Sequence, residues 1–124
     1  MDNVRSLEKG KVLFKEGDDG KEMFVIGRGE IVLTREVEGK EVEVAKLVAG
    51  DFLGEMAILT ESKRTCTAKA LTDVSILVYD YERFSKLIKE NSSIAMRMLE
   101  VLSSRLKNTT NQLMDMHKDY SDHY

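Results

Sequence analysis

The chain has 124 residues, of which 42% are hydrophobic and 33% are charged, and its formal net charge is −3. These values are ordinary for one small globular domain, and the acidic balance argues against a domain that mainly binds nucleic acid. No apolar run approaches the roughly 20 residues that a membrane-spanning helix requires.

The first two thirds of the chain predict short strands. The eight glycines all lie within the first 54 residues, where they separate runs of β-branched or alternating apolar residues. Because glycine favours turns, these runs are expected to be strands and the later part helical. Glu38-Gly39-Lys40 is expected to close a hairpin. The predicted strands cover residues 11–15, 22–26, 30–38, 41–48, 67–71 and 74–79.

A first helix is predicted after the strands. Asp80 is expected to cap a helix over residues 81–90. Its apolar face is predicted to consist of Tyr81, Phe84, Leu87 and Ile88.

A second, longer helix is predicted to come next, capped by Asn91, Ser92 or Ser93. Polar residues, Thr109 and Thr110, interrupt its apolar stripe. The stripe is predicted to contain Ile94, Met98, Leu102, Leu106, Leu113 and Met116.

These elements predict a mainly β fold with C-terminal helices (α+β), in which an antiparallel β-roll or jelly roll is followed by a long C-terminal helix. We expect a single domain over residues 1–124, with the roll at about 7–79, the helices at about 80–116 and a polar tail at 117–124. His117 and His123 lie in that tail and form a poor metal site, so no metal is expected.

The location of the protein is suggested by two features. The opening residues, MDNVRSLEKG, contain no apolar segment of the signal-peptide type. The single Cys66 cannot form an internal disulfide, which is typical of a reducing compartment. We therefore expect a cytoplasmic protein.

One segment, FLGEMAILTESKRTCTA at residues 52–68, carries the candidate chemistry. Gly54 precedes a short helical stretch, where a ligand can approach the backbone and the first amides suit an anion. Arg64 offers a planar fork that matches phosphate oxygens, and Thr65 adds a hydroxyl. Glu55 is an acceptor suited to a sugar hydroxyl. The pattern predicts a ligand with a phosphate and a sugar hydroxyl about one ring apart.

This segment resembles the phosphate-binding cassette of cyclic-nucleotide-binding domains, in which Phe-x-Gly-Glu-apolar-Ala/Gly-apolar precedes a loop and then Arg-Ser/Thr/Ala-Ala/Cys. The upstream run LFKEGDDGKEMFVIGRGEIVL resembles the entry to that family's roll, and the resemblance extends from residue 7 to about 116. The cassette pattern is matched by Phe52, Gly54, Glu55, Met56, Ala57, Arg64 and Thr65.

The resemblance implies a sensor module that binds a cyclic nucleotide and has no catalytic residues. Glu55 would bind the ribose hydroxyl, and Arg64, with backbone amides near Ala57 and Thr65, would hold the cyclic phosphate. Cys66 is expected to be a small pocket-wall or core residue. The implied ligand-binding set in the roll is Leu53, Gly54, Glu55, Met56, Ala57, Arg64, Thr65 and Cys66.

The long helix resembles the dimer helix of the bacterial catabolite activator proteins, whose Arg-Leu-x-x-Thr-Ser places hydroxyls on adenine, one from each subunit. The corresponding residues here are Arg105, Leu106, Thr109 and Thr110. This implies cAMP as the ligand and a parallel homodimer, with Arg105, Thr109 and Thr110 added to the site. Because Thr65 follows the arginine, as in some cGMP-binding members, cGMP stays an alternative ligand.

Other functions compete with this interpretation. A ligand-free dimerisation module with a degenerate cassette and the sensor half of a transcription regulator lacking its DNA-binding domain stay open. A cupin-type metal barrel is disfavoured because both histidines lie after residue 116. Direct DNA binding by this chain is not expected, because no recognition helix fits residues 117–124 and the charge is acidic.

Overall fold

The computed structural model describes residues 3–116 of the chain. They fall into two compact units, the first ending at Phe84 and the second beginning at Ser85. The strands are β1 (Val4–Leu7), β2 (Val12–Phe14), β3 (Glu22–Arg28), β4 (Ile31–Val37), β5 (Lys40–Leu47), β6 (Phe52–Leu53), β7 (Thr67–Ala70) and β8 (Val74–Asp80), and the helices are α1 (Glu55–Leu59), α2 (Tyr81–Glu90) and α3 (Ser92–Met116).

The strands of the first unit form two four-stranded sheets. One sheet has the strand order β1-β8-β3-β6 and the other β2-β7-β4-β5, and the paired strands are antiparallel throughout. The predicted mainly β, antiparallel roll with C-terminal helices is therefore confirmed.

The hydrophobic core of the first unit joins the two sheets. In β8 the alternating residues Val74, Ile76 and Val78 are buried, as expected of a strand with one face on a core. Removing this apolar surface from water is the main term that stabilises such a roll. The core cluster takes Phe24, Ile26, Leu53, Val74, Ile76 and Val78 from the first sheet and Ile31, Leu47, Ala68 and Ala70 from the second.

The six predicted strands are present, with ends that differ by one or two residues at most sites. The hairpin between β4 and β5 turns where the sequence places it, and Glu38 and Gly39 have φ values of 53° and 78°. Positive φ at both central residues is what a two-residue hairpin loop of type I′ requires.

Two strands were not predicted. β1 has the sequence VRSL and is largely exposed, and it pairs only with β8 at the edge of its sheet, so it lacks a buried alternating face. β6 contains two residues, which is too short for any periodicity to show. Both strands are formed by pairing with a neighbour and not by a local pattern.

The cap of α2 is confirmed, because Oδ1 of Asp80 accepts a hydrogen bond of 2.8 Å from the backbone amide of Arg83. Phe84 is buried on the predicted apolar face, whereas Tyr81, which is assigned to the same face, is 63% exposed. Helical spacing fixes the direction of a side chain but not whether anything packs over it.

α3 begins where the sequence indicates, and Asn91 supplies the cap through a 3.3 Å hydrogen bond from the amide of Ile94. The predicted stripe is buried at Met98, but Leu106 is 68% exposed and Leu113 is exposed as well. Among the side chains whose burial is described, the stripe is therefore covered only in the first half of the helix.

The predicted polar tail, with His117 and His123, lies outside the described residues. The expectation that both units act as a single domain stays a prediction. Along residues 3–116, no helix has both the length and the apolar character needed to cross a bilayer.

Candidate functional site

The helical part of the cassette follows the end of β6, at Gly54. This residue has φ +83°, a left-handed conformation in which a side chain is strained. A Cβ added there would lie 2.7 Å from Nη1 of Arg64 and 3.1 Å from the carbonyl oxygen of Glu22. Both the backbone conformation and the space therefore require glycine at the start of α1.

The main chain of Arg64 is fixed by the turn after β2. The amide of Arg64 donates to the carbonyl oxygen of Asp18, and the amide of Gly17 donates to the carbonyl oxygen of Arg64, each at 2.8 Å. These bonds continue the pairing of β2 with β7 beyond the regular strands. The backbone of Arg64 is therefore held in place by hydrogen bonds, although the residue lies in a loop.

The side chain of Arg64 points into the first unit and is only 6% exposed. Its Nη1 donates a 3.2 Å hydrogen bond to the carbonyl oxygen of Gly54. The guanidinium carbon lies 4.4 Å from the ring centroid of Phe14 and 5.5 Å from that of Phe24. The two rings stack on each other with centroids 5.9 Å apart. Arg64 therefore rests on an aromatic surface, in a cation–π arrangement.

The charge of Arg64 is poorly compensated. Within residues 3–116, no ion pair includes Arg64, and its buried Nε has no hydrogen-bond acceptor. Burial lowers the pKa of the guanidinium, and the nearby carboxylates of Glu22, Asp18 and Glu55 raise that pKa in part. The group stays protonated in any case. A buried cation without a paired anion is costly, so the site favours an anionic ligand.

The other cassette residues divide between buried and exposed positions. Glu55 is buried on the first turn of α1, while Met56 beside it is exposed. Leu53 belongs to the core cluster, and Ala57 is buried on α1. The structure therefore presents Gly54, Glu55 and Arg64 as one group and gives Leu53 a packing role.

The two residues after the arginine lie nearer the surface. Thr65 is exposed and Cys66 is half-buried, and the Thr65 hydroxyl donates to the Cys66 sulfur at 3.8 Å. Cys66 is a free thiol. The assignment of Cys66 to the wall of the pocket or to the core stays a prediction.

Arg105, Thr109 and Thr110, the helix residues implied by the resemblance, lie on α3 in the second unit. Thr109 and Thr110 are exposed, and Arg105 is half-buried. The Thr109 hydroxyl donates a 2.9 Å hydrogen bond to the carbonyl oxygen of Arg105. Because a hydroxyl has one hydrogen, the Thr109 oxygen is left to act as an acceptor.

Sequence reasoning missed three residues that hold Arg64: Phe14, Phe24 and Gly20. A Cβ at Gly20 would overlap Nε of Arg64 and lie 2.5 Å from Nη2. The only available signal was the second glycine of Gly17-Asp-Asp-Gly20. Gly17 has a positive φ, which accounts for a glycine at that position. Gly20 does not have a positive φ, and a glycine is needed there because the Arg64 side chain occupies the space of a Cβ.

A separate concave region lies along the second sheet and includes neither Glu55 nor Arg64. Its carboxylates outnumber its one lysine, so it repels a phosphate. Among the described residues, no cluster of His, Cys, Asp or Glu could hold a metal ion. The region is lined by Lys15, Glu16, Thr34, Glu36, Glu38, Gly39, Glu41 and Thr67.

Comparison with known proteins agrees with this geometry. Residues 4–91 match the cyclic nucleotide-binding domain family. The chain is 30% identical over 113 residues to the cAMP-activated global transcriptional regulator CRP of Salmonella typhimurium, covering 90% of this chain and 54% of the regulator. The crystal structure of the Thermus thermophilus catabolite activator protein aligns with a TM-score of 0.82 at 30% identity, covering 89% of this chain and 52% of that one. A structure from a cyclic-GMP-dependent signalling pathway that regulates bacterial phytopathogenesis aligns with a TM-score of 0.73 at 25% identity. The alignment covers 86% of this chain and 85% of that one.

A β-roll that brings a glycine-led cassette helix beside a buried arginine defines a class of ligand-binding regulatory module. The chain belongs to the cyclic nucleotide-binding domain family. It spans about half the length of the curated transcriptional regulators that it matches.

Proposed function

We propose that this chain is a sensor module for cAMP and performs no chemistry of its own. The observation that carries the proposal is the buried guanidinium of Arg64, which has no ion-pair partner in residues 3–116 and holds an unpaired Nε. A cyclic phosphate supplies the missing anion and oxygen acceptors for such a fork. The gain is large because the cost of burying the cation has already been met in the folded chain.

Glu55 gives the site its second point of recognition. Its carboxylate is buried in the cassette and near enough to Arg64 to affect the pKa of the guanidinium. A carboxylate can accept several hydrogen bonds, so it would take one from the ribose 2′-OH in addition to its contacts within the protein. The phosphate and the ribose together would fix the orientation of the nucleotide.

The choice of purine is assigned to α3. Because the Thr109 hydroxyl already donates to the carbonyl of Arg105, its oxygen would accept from the exocyclic amino group of adenine. Guanine offers a carbonyl there and gains nothing from an acceptor. Thr65 acts in the other direction, because its hydroxyl would suit the 2-amino group of guanine. The orientation of the Thr109 hydroxyl and the similarity to a cAMP-activated regulator support cAMP, and cGMP stays the competing ligand.

A homodimer through α3 is part of the proposal. Leu99, Leu106 and Leu113 succeed one another at steps of seven residues, and all three are exposed in the single chain. Leu102 and Thr109 lie three residues after the first two, which completes the alternating three-four spacing of a coiled coil. A second copy packed in parallel would cover this row and leave Thr109 as its polar layer.

The signal would be a change in the position of the helices. A nucleotide that contacts both the cassette and α3 favours the arrangement in which both contacts exist, which is a shift between populated states. The module would work in the cytoplasm without binding DNA itself, and another domain or partner would use the helix movement.

Calorimetric titration of the chain with cAMP and cGMP tests the function directly. The proposal predicts saturable binding of both ligands with tighter binding of cAMP. Absence of any heat with either nucleotide, while the protein is folded by circular dichroism, would overturn it.

A second candidate is a ligand-free dimerisation module. It is favoured by the contacts that Arg64 makes within the protein, with Phe14, Phe24 and Gly54, since these give the arginine a structural role without any nucleotide. This candidate predicts a dimer by light scattering together with no heat on titration. The sensor half of a transcription regulator, lacking its DNA-binding domain, shares the predictions of the main proposal.

A further inference from the structure

We infer that Phe14 is a positioning residue for phosphate capture, which holds the Arg64 guanidinium in the plane and place where the phosphate is received. The inference rests on the proposed function. It concerns a residue outside the cassette, on β2, whose ring would not itself need to touch the ligand.

The backbone places the two residues together. Phe14 ends β2, and its register partner on β7 is the fully buried Ala68. Beyond that pair the amide of Arg64 bonds to Asp18, so Arg64 lies opposite the turn after Phe14. The ring and the guanidinium are therefore held by the same pair of chain segments, and their contact does not depend on a flexible loop.

The guanidinium is confined on several sides. Phe14 supplies the nearer ring, at 4.4 Å, and Phe24 continues the surface at 5.5 Å. At Gly20 there is no room for a Cβ beside the head group, and Nη1 is tied to Gly54. An arginine normally loses much rotamer freedom when it binds a ligand. Here that loss occurs on folding, so the loss on binding is smaller.

Phe14 is the residue through which this role can be tested. Phe24 is 2% exposed and belongs to the core cluster, so its loss would disturb the whole unit. Phe14 is half-buried at the end of a short strand. Leucine keeps its apolar character without a ring face, and tyrosine keeps the ring face.

The experiment compares cAMP affinity by calorimetry in the wild type, Phe14→Leu and Phe14→Tyr. A cation–π contact with a desolvated guanidinium predicts binding about 3- to 30-fold weaker in Phe14→Leu. Phe14→Tyr is expected to stay within about twofold of the wild type, because its ring still faces the cation. Equal affinity in all three proteins would overturn the inference and leave the proposed function standing.

A second background separates positioning from general damage. In Arg64→Lys the charge is kept without the planar fork, so the ring no longer orients a fork and Phe14→Leu is expected to weaken binding less than it does in the wild type. If Phe14→Leu costs the same affinity in both backgrounds, its role is merely structural and the inference fails.

The Nε–H resonance of Arg64 gives a readout without nucleotide. A ring face shifts this proton upfield, so the shift should be kept in Phe14→Tyr and reduced in Phe14→Leu, where only the more distant ring of Phe24 stays. A wild type that binds no cyclic nucleotide would overturn the proposed function, and this resonance would then decide by itself whether Phe14 holds the guanidinium.

Discussion

Gly54 and Arg64 are ten positions apart in sequence, yet the carbonyl oxygen of Gly54 accepts a 3.2 Å hydrogen bond from Nη1 of Arg64. The same glycine leaves no space for a Cβ, which would lie 2.7 Å from that nitrogen. The turn at the start of the cassette helix and the guanidinium of Arg64 are thus packed together and joined by a hydrogen bond.

Gly54→Ala is expected to damage both stability and binding. At Gly54 an added Cβ meets a left-handed backbone, the Glu22 carbonyl and the guanidinium. Gly39→Ala is the matched control, since Gly39 has φ +78° and open space around it. The control should lose about 1–2 kcal/mol of unfolding free energy in urea, the cost of the left-handed conformation alone. Gly54→Ala should lose more and should also weaken cAMP binding. Equal losses in the two variants would contradict the close packing of Gly54 on Arg64.

Arg64→Met is expected to separate stability from function. Replacing a buried, unpaired cation by an apolar side chain of similar length should leave the unfolding free energy unchanged or raise it by up to about 2 kcal/mol. Cyclic-nucleotide affinity should fall by about 30- to 5000-fold, the effect of losing about 2–5 kcal/mol from a buried charge-assisted contact. Urea unfolding and calorimetry measure the two quantities. Arg28→Met, at an exposed arginine, should change neither. Unchanged binding in Arg64→Met would remove Arg64 from the site.

Glu55 is expected to discriminate between ribose and 2′-deoxyribose. The wild type should bind 2′-deoxy-cAMP about 5- to 150-fold more weakly than cAMP, because a buried acceptor loses a partner worth about 1–3 kcal/mol. Glu55→Gln has nearly the same shape and is a weaker acceptor, so it should lose much of this discrimination. The ratio of the two affinities, measured in each protein, is the test. If the ratio is the same in both proteins, Glu55 does not recognise the ribose.

Much of the fold could be predicted from sequence because its signals are local. The hairpin at Glu38-Gly39 and the cap at Asp80 each depend on one or two residues whose conformation is nearly fixed by their type. The cassette could be found for the same reason, because its residues lie within one continuous segment.

The surroundings of Arg64 could not be predicted in this way. Phe14, Gly20 and Phe24 come from a distant part of the chain. Phe14 and Gly20 approach Arg64 through the pairing of β2 with β7, and Phe24 approaches it from β3, which pairs with β6 just before Gly54. Their own patterns indicate a strand and a turn, and nothing in them indicates a cation. The exposure of Leu106 could not be predicted either, because helical spacing gives the direction of this side chain on α3 but not whether another residue packs against it.

The exposed leucine row of α3 is expected to hold the homodimer. Leu106→Glu puts a carboxylate at the centre of that row and should shift the protein towards monomer in light scattering at micromolar concentration. Ser104→Glu introduces the same group at an exposed position outside the row, so it should leave the dimer intact. A wild type that is monomeric at high concentration, or a dimer that tolerates Leu106→Glu as well as Ser104→Glu, would contradict the proposed seam.

The polarity of the Thr109 hydroxyl leads to a prediction on purine choice. Its hydrogen is donated to the Arg105 carbonyl, so its oxygen would accept from adenine and not donate to guanine. The wild type should therefore bind cAMP more tightly than cGMP, by about 2- to 10-fold for one neutral hydrogen bond. Thr109→Val keeps the shape of the side chain without the acceptor and should narrow this gap by weakening cAMP alone.

Thr110 lies beside Thr109, and changing both residues to alanine should reduce the difference between cAMP and cGMP affinity further. Thr65→Val is a control with the opposite expected effect. Removal of a hydroxyl suited to guanine should weaken cGMP binding and so increase the difference between cAMP and cGMP affinity. Competition titrations of both nucleotides against each variant measure these ratios directly. A wild type that prefers cGMP, or a gap that Thr109→Val leaves unchanged, would move the choice of purine from α3 to the cassette.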